Sequence, residues 1–370
     1  MSVSSETSST GPMTLMSPAG SPRAARAALR AGADAIYLGL RDLTHQRDQC
    51  RNFTSRELDE VVELARAHGR RTYVTFNSSY NEADYSAVLS RIGGLAGRGV
   101  TGVIISDLGL VAEVCRAYPE LEVEYSVQGQ CANEDTAKLL AELGVRRLVL
   151  DRNVTIAEAA AIREASGLEV VLFGFGFLCY SQDSICYLGD HFSGMPCKVH
   201  CTQMVSFEQG IPRAGPGRHL FMKYYSALPA LALMAGAGIH GLKLEGRHRS
   251  SSYVARVTRV FREALDEVER CRLAGVAYRP RPSWQTSLRI AALGFEVTEG
   301  SFAPGRYSRR TDSRPPWSSP PLFLADTLLT FLESRNIMTL RHELSAAWDR
   351  LRRRPGGEAP PRGRGFQGLP

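Results

Sequence analysis

Short apolar runs alternate with longer amphipathic segments from Met13 to Cys271. The runs are rich in β-branched residues and have the length of strands. The segments between them, such as residues 21–32, 55–69 and 133–144, have helical spacing; several begin with Ser, Thr or Asn and stop at Gly. Asn133, for example, is predicted to cap a helix with acidic residues in its first turn. Eight strands are predicted, at residues 13–17, 35–40, 71–76, 102–107, 122–127, 146–151, 169–175 and 241–246.

Eight nearly continuously apolar strands that alternate with helices indicate a parallel sheet covered by helices. The predicted fold class is α/β, a TIM-like (β/α)8 barrel with a cysteine-rich insertion after strand 7 and a short C-terminal extension. A doubly wound open sheet is the alternative. The turn after the first strand, MSPAGS, has one glycine where a dinucleotide-binding fingerprint needs three, which favours the barrel.

The pattern also predicts where the chain divides. Residues 1–12 are a polar lead without apolar positions, and residues 13–275 form the barrel, including a cysteine loop at 177–203. More than sixty residues separate the seventh and eighth strands, a length that usually carries function or extra structure. Residues 276–310 are predicted to be a segment associated with the barrel, and residues 311–370 a Pro-rich linker, a helical segment and a basic tail.

Composition and charge exclude some classes of protein. No run of eighteen apolar residues occurs, which predicts no membrane span, and the polar first dozen residues do not resemble a secretory signal, so we expect a cytoplasmic location. The formal net charge is +7, but residues 306–370 hold 12 basic and 6 acidic residues, against 33 and 32 in the rest. The near-neutral barrel disfavours nucleic acid as a partner, whereas the tail could tether it.

Four of the eight cysteines, Cys179, Cys186, Cys197 and Cys201, fall in one short stretch directly after the seventh strand. Reduced, clustered thiolates are typical metal ligands. The spacing C-x6-C-x10-C-x3-C suits an all-thiolate [4Fe–4S] cluster better than zinc, which usually takes close pairs, but zinc and the absence of a metal stay open. Cys50, in the loop after strand two, could replace one of the four.

Catalytic groups of a parallel barrel lie where its strands end. That rule selects polar residues of both charge signs, which suit a small anionic substrate: Asp107, Glu245 and Arg247 as catalytic residues, and Asn77, Gln128, Arg152 and Lys243 as substrate-binding residues. Simpler roles compete, because Asp107 could cap a helix and Glu245 could form a structural ion pair. A nucleophilic pair such as Cys186 with His191 would suit a thiol protease, although no cysteine is singled out by an activating base.

Several segments resemble one known family. They are MSPAGSPRAARAALRAGADAIYLGL, RNFTSRELDEVV, SDLGL, SVQGQCANEDTA, the cysteine loop beginning FGFLC, and LKLEGRHRSSSYVARVTRVFREALD. Together they are similar to the collagenase-like peptidase family U32 over about residues 13–270. Within it, YLGLRD, SDLGL and ALGFEVTEGSFAPGRY are most similar to the UbiU type, which takes part in oxygen-independent ubiquinone hydroxylation.

The resemblance implies more than the peptidase name. It implies an iron–sulfur protein that acts in hydroxylation of a ubiquinone precursor or a similar aromatic, as a heterodimer with a related UbiV-like barrel protein. The alternatives are hydroxylation of a tRNA or rRNA base with prephenate as oxygen donor, and a collagenase-like peptidase. The implied [4Fe–4S] ligands are Cys179, Cys186, Cys197 and Cys201. The later cysteine of the UbiU type is missing near Gly215, and Cys50 is the alternative ligand because it resembles in position an early cysteine of the UbiV type.

Overall fold

The computed structural model describes residues 11–41, 50–78, 80–179, 205–207, 214–217, 224–292, 297–299 and 329. Twelve strands lie in these ranges: β1 Thr14–Pro18, β2 Ala35–Leu38, β3 Arg71–Phe76, β4 Gly102–Ile105, β5 Glu122–Tyr125, β6 Arg147–Val149, β7 Glu169–Phe177, β8 Val205–Phe207, β9 Ala214–Gly217, β10 Tyr224–Ser226, β11 Gly241–Leu244 and β12 Val297–Thr298.

Nine α-helices lie in the described part of the chain: α1 Pro22–Arg30, α2 Ser55–Ala67, α3 Glu82–Ala96, α4 Leu108–Ala117, α5 Glu134–Glu142, α6 Ile156–Ser166, α7 Leu231–Gly236, α8 Ser251–Ala274 and α9 Pro282–Ala291. Their starts follow the predicted capping chemistry. Thr54 and Thr155 each form a capping box, and Asn133 accepts from the backbone N–H of Thr136. No helix in these ranges is long and apolar enough to cross a membrane.

A closed parallel barrel forms the centre of the fold. β1 to β7 pair in chain order and in parallel, and β11 pairs in parallel with both β7 and β1, so that the eight strands make a ring. The fold prediction is therefore confirmed, and every predicted barrel strand is present with its ends shifted by at most two residues. The predicted segment between β7 and β11 includes an antiparallel pair, β8 with β9.

Side chains alternate between two environments along each barrel strand. Leu15, Ile36 and Val74 belong to the large core between barrel and helices, whereas Met16 and Tyr73 belong to a second buried cluster inside the barrel. The inward parity continues to the carboxyl ends of the strands, which together form the face called the barrel mouth below. This parity decides which polar side chains meet there.

The C-terminal part of the described chain packs on the barrel. α9 contacts α8, and the indole N–H of Trp284 donates to Glu263 Oε2 at 2.9 Å. β12 pairs with β10, which extends the sheet beyond β7. The predicted linker, the helical segment at 322–354 apart from Leu329, and the basic tail lie outside the described residues.

Candidate active site

Glu245 lies at the barrel mouth directly after β11 and is only 7% exposed. Its two carboxylate oxygens have different partners. Oε2 accepts from the backbone N–H of Phe177 at 2.8 Å, and Oε1 pairs with the guanidinium of Arg152. A β-carbon at Gly176 would overlap this carboxylate, so the penultimate residue of β7 has to be glycine. Glu245 therefore joins the ends of β7 and β11 to the loop after β6.

Arg152 reaches Glu245 across the ring of Phe173. Its guanidinium carbon lies 4.0 Å from the centre of that ring, and its side chain is 8% exposed. A guanidinium stacked on an aromatic face and paired with a carboxylate is held in one orientation. Arg152 is thus a fixed positive charge at the barrel mouth, beside the strand end from which the cysteines follow.

Arg247 connects a different part of the barrel mouth. Its Nη1 donates to Thr75 Oγ1 at 2.8 Å and its Nη2 to Asn52 Oδ1 at 2.9 Å. Asn52 adopts a left-handed backbone conformation with φ of 55°, which asparagine tolerates better than most residues. A β-carbon at Gly20 would overlap the carbonyl oxygen of Arg247, so the segments that follow β1 and β11 approach each other closely here. These contacts place Arg247 beside the loop that follows β2.

Lys243 lies one inward position deeper than Glu245. Its ammonium donates to Glu124 Oε1 at 2.8 Å and lies 4.7 Å from the centre of the Tyr37 ring. Burial lowers the pKa of Lys243, and the charge of Glu124 offsets part of that effect. The sequence predicts Lys243 as a substrate-binding residue at the mouth; the structure places it inside the barrel, in a buried ion pair.

Glu124 is the centre of a buried charged group that sequence reasoning did not identify. Its Oε2 lies 3.6 Å from Arg147 Nη1, and Arg147 also pairs with Glu169 and donates to the hydroxyl of Tyr73 at 2.8 Å. Burial raises the pKa of the Tyr73 hydroxyl, so it is neutral in this group. A signal was present, because Glu124 lies between the apolar residues Val123 and Tyr125 and Arg147 is followed by Leu148 and Val149, so both charges fall within strands of the barrel.

The remaining predicted site residues follow the carboxyl ends of other barrel strands. Asp107 Oδ1 accepts from the backbone N–H of Leu110 at 2.9 Å and caps α4, which is the simpler of the two roles weighed for it. Asn77 follows β3 and is half-buried, and Gln128 lies in a single 3-10 turn after β5, also half-buried. Their predicted binding roles stay predictions.

Two cysteines named as metal ligands are described. Cys179 follows β7 by two residues and is half-buried, and Cys50 is a free thiol, 8% exposed, on the loop after β2. Cys186, Cys197 and Cys201 lie outside the described residues. Within the described ranges, no three His, Cys, Asp or Glu residues converge as a metal site.

By their chemistry, four thiols in this short stretch are donors that suit a thiolate-bound metal. We call residues 179–201 the cysteine segment. It begins at the carboxyl end of β7, and Tyr224, on the strand to which the chain returns, pairs antiparallel with Phe177. The rings of Tyr224 and Phe177 pack edge to face with centroids 5.5 Å apart. The strand that leads into the cysteine segment and the strand at 224–226 are therefore paired with each other at the barrel mouth.

Cys131 is an example of a cysteine without a sign of metal chemistry. It is fully buried near the start of α5, and burial raises the pKa of its thiol to about 11. Such a thiol stays protonated at neutral pH and packs as a small apolar side chain. Cys131 is therefore a useful control for experiments on the cysteine segment.

A comparison with family models finds one match, described as Peptidase family U32, over residues 20–296. The matched span includes the barrel from β2 to β11, the cysteine segment, α8 and α9.

Three curated relatives indicate what related proteins do. The tRNA hydroxylation protein P1 of Bacillus subtilis is 27% identical over 266 residues, which cover 68% of this chain and 63% of that protein. The 23S rRNA 5-hydroxycytidine C2501 synthase of Escherichia coli is 26% identical over 261 residues, 69% of this chain and 39% of that protein. A collagenase of Porphyromonas gingivalis is 25% identical over 271 residues, 68% of this chain and 65% of that protein. The chain spans less than two thirds of the length of each.

Proposed function

The chain belongs to peptidase family U32, and from that premise we propose that it is an iron–sulfur protein that takes part in hydroxylating an aromatic ring without dioxygen. One observation carries the proposal. The cysteine segment begins at the barrel mouth, two residues beyond the Phe177 amide that Glu245 holds. This is the face on which parallel barrels carry out their chemistry. The tRNA and rRNA hydroxylation proteins among its relatives support the same reaction class.

Cys179, Cys186, Cys197 and Cys201 would hold a [4Fe–4S] cluster, and Cys50 is the alternative ligand. Such a cluster, when bound, supplies one-electron redox chemistry at the barrel mouth. Zinc bound by the same thiolates is the competing assignment.

The chain's own residues would bind and orient the substrate. Arg152 and Arg247 present guanidinium groups, which suit carboxylate or phosphate oxygens because two N–H groups can donate side by side. Both are held in place by neighbouring side chains, Arg152 by Glu245 and Phe173, and Arg247 by Thr75 and Asn52. Asn77 and Gln128 are half-buried amides at the same face and would form hydrogen bonds with ring substituents.

The substrate class favoured by the relatives is an RNA base. Two of them are named for hydroxylation of tRNA or rRNA, and each covers more than two thirds of this chain. Cytoplasmic RNA would then be the partner, and the anionic groups met by Arg152 and Arg247 would be phosphates or an oxygen donor of acidic character.

A ubiquinone precursor is the second candidate, with a related UbiV-like barrel as partner. The charge distribution favours it. Residues 1–305 hold 33 basic and 32 acidic residues, so the barrel lacks the surplus of positive charge that most RNA-binding surfaces show.

Anaerobic purification tests the cofactor. We expect a brown protein with about four iron and four sulfide per chain, as a [4Fe–4S] centre requires. Cys179→Ser should lose most of the iron, whereas the matched variant Cys131→Ser should keep it. A colourless protein with one zinc per chain would contradict the iron–sulfur assignment.

Mass spectrometry of the host then tests the substrate. Strains with and without this gene are compared for nucleosides digested from tRNA and rRNA and for extracted quinones. Loss of a nucleoside that carries one extra oxygen supports the RNA candidate. Accumulation of an under-hydroxylated quinone precursor, with nucleosides unchanged, supports the second candidate.

A further inference from the structure

The last residues of β11 leave the regular pairing of the barrel. Pairing with β1 ends at Lys243, and the register against β7 shifts between Lys243 and Leu244. Backbone carbonyls in a protein interior need hydrogen-bond donors, and here tyrosine hydroxyls supply them. Tyr37 donates to the carbonyl of Leu244 at 2.8 Å, and Tyr253 donates to the carbonyl of Glu245 at 3.1 Å. Two side chains, one from β2 and one from α8, therefore hold the end of β11.

Tyr253 also fits against the backbone of the residue that follows Glu245. Gly246 has a φ of 133°, which residues with a side chain rarely adopt, and a β-carbon there would overlap the ring of Tyr253. The carbonyl of Gly246 accepts from the backbone N–H of Arg249 at 2.8 Å, and the guanidinium carbon of Arg249 lies 4.8 Å from the centre of the Tyr253 ring. The turn between β11 and α8 thus closes over a tyrosine that is only 4% exposed.

This turn separates two side chains that reach to opposite sides of β11. Glu245 accepts from the backbone N–H of Phe177 at the end of β7. Arg247 donates to the side chain of Asn52 in the loop after β2. Since only Gly246 lies between them along the chain, a change in the path of the backbone at this point moves both side chains.

We propose that Tyr37 and Tyr253 are positioning residues of the candidate active site. Their hydroxyls fix the end of β11 and thereby the places of the Glu245 carboxylate and the Arg247 guanidinium. The inference rests on the proposed function and deepens it, because Arg247, and Arg152 through its pairing with Glu245, are the cations that would bind the substrate.

Hydrogen exchange of the full-length, metal-free protein, resolved to single amides, tests this role. Tyr253→Phe keeps the ring against Gly246 and removes only the donor to Glu245. We expect the amides of Phe177 and Asn52 to exchange about fivefold faster, the size expected when one hydrogen bond between neutral groups is lost. Each of these residues is bonded by one of the two positioned side chains, so both should respond together.

A rescue and a matched control separate the hydroxyl from packing. Replacing Tyr253 by para-aminophenylalanine restores a donor on the same ring and should return both amides towards the wild-type rate. Tyr37→Phe should speed both amides as Tyr253→Phe does. Tyr125→Phe is the control, because it removes a hydroxyl that donates at 2.9 Å to the carbonyl of Gly129 after another strand, β5, and should leave both amides unchanged.

Unchanged exchange of both amides in the folded Tyr253→Phe and Tyr37→Phe proteins would overturn the assignment. Equal acceleration in Tyr125→Phe, or no recovery with para-aminophenylalanine, would overturn it as well, because either result would trace the effect to general loosening of the barrel. The cluster does not enter this measurement. A wild-type protein that purifies anaerobically without iron would contradict the proposed function and leave the exchange readout intact.

Discussion

At the scale of single residues, charged side chains inside the barrel are the least expected feature of this chain. Lys243 and Glu124 face each other with side chains 7% and 1% exposed. Ions in such surroundings lose their hydration, and the pair is tolerated because its members compensate each other. Removing one member is therefore much more costly than removing both.

Lys243→Met tests this compensation. The variant leaves Glu124 charged and buried, with Arg147 at 3.6 Å as its remaining cation. We expect a loss of about 3 kcal/mol in the free energy of unfolding, at the lower end of the usual range for a broken buried pair. Urea unfolding followed by circular dichroism measures it.

The double variant Lys243→Met with Glu124→Leu is the control. It removes both charges, and we expect it to recover most of the lost stability. A double variant no more stable than Lys243→Met would show that packing, and not the uncompensated charge, causes the loss.

At the scale of elements, the barrel depends on β11, which closes the ring by pairing with β7 and β1; the contact of β11 with β7 is called the seam. His240 precedes β11 at the amino-terminal end of the barrel. Its imidazole Nδ1 accepts from the backbone N–H of Val170 at 3.3 Å, and the backbone N–H of His240 donates to the carbonyl of Val170 at 2.9 Å. Burial, with a contribution from Arg163, lowers the pKa of the imidazole, and Glu169 opposes the effect.

The lowered pKa of His240 makes the stability of the protein depend on pH. The folded-state pKa of His240 lies below its unfolded value of about 6.5, so the unfolded chain binds the proton more readily. The stabilisation is therefore complete above about pH 6.5 and is lost as the pH falls from there towards the folded-state pKa. His240→Asn keeps an acceptor for Val170 but cannot titrate, so its unfolding free energy should fall less between pH 7.5 and 5.5. Equal slopes for both proteins in urea unfolding would refute this role.

At the scale of the whole molecule, charge is distributed unevenly along the chain. The surplus of basic residues lies after residue 305, and several exposed arginines on the barrel helices are paired with nearby acids, as in Arg116 with Glu113 and Arg272 with Glu269. Any attraction to RNA that does not depend on sequence should therefore come from the tail.

The salt dependence of RNA binding tests whether the tail, and not the barrel, contacts the RNA backbone. Replacing Arg352, Arg353 and Arg354 with Gln in the full-length protein should weaken binding to single-stranded RNA. The slope of log affinity against log salt should fall by about 0.7 for each arginine that contacts a phosphate. The matched control replaces Arg56, Arg116 and Arg272, which lie in helix ion pairs. A larger change in the control than in the tail variant would place the RNA contact on the barrel.

The order of elements was predictable because local patterns determine it. All eight barrel strands were located, and caps such as Asn133 were identified from residue type alone. Asp107 shows the limit, since a carboxylate after a strand suits a catalytic residue and a helix cap equally well, and only the 2.9 Å bond to Leu110 identifies the cap.

The sequence by itself determined the barrel, the place of the cysteine segment after β7 and the set of polar residues at the strand ends, because periodicity and strand order are properties of neighbouring residues. Only the tertiary structure decided which of those residues meet. Glu245 contacts Phe177 across 68 positions, Lys243 contacts Glu124 across 119, and Arg247 contacts Asn52 across 195. Such pairs depend on the register at which the ring closes, and that register is fixed by packing of the whole barrel.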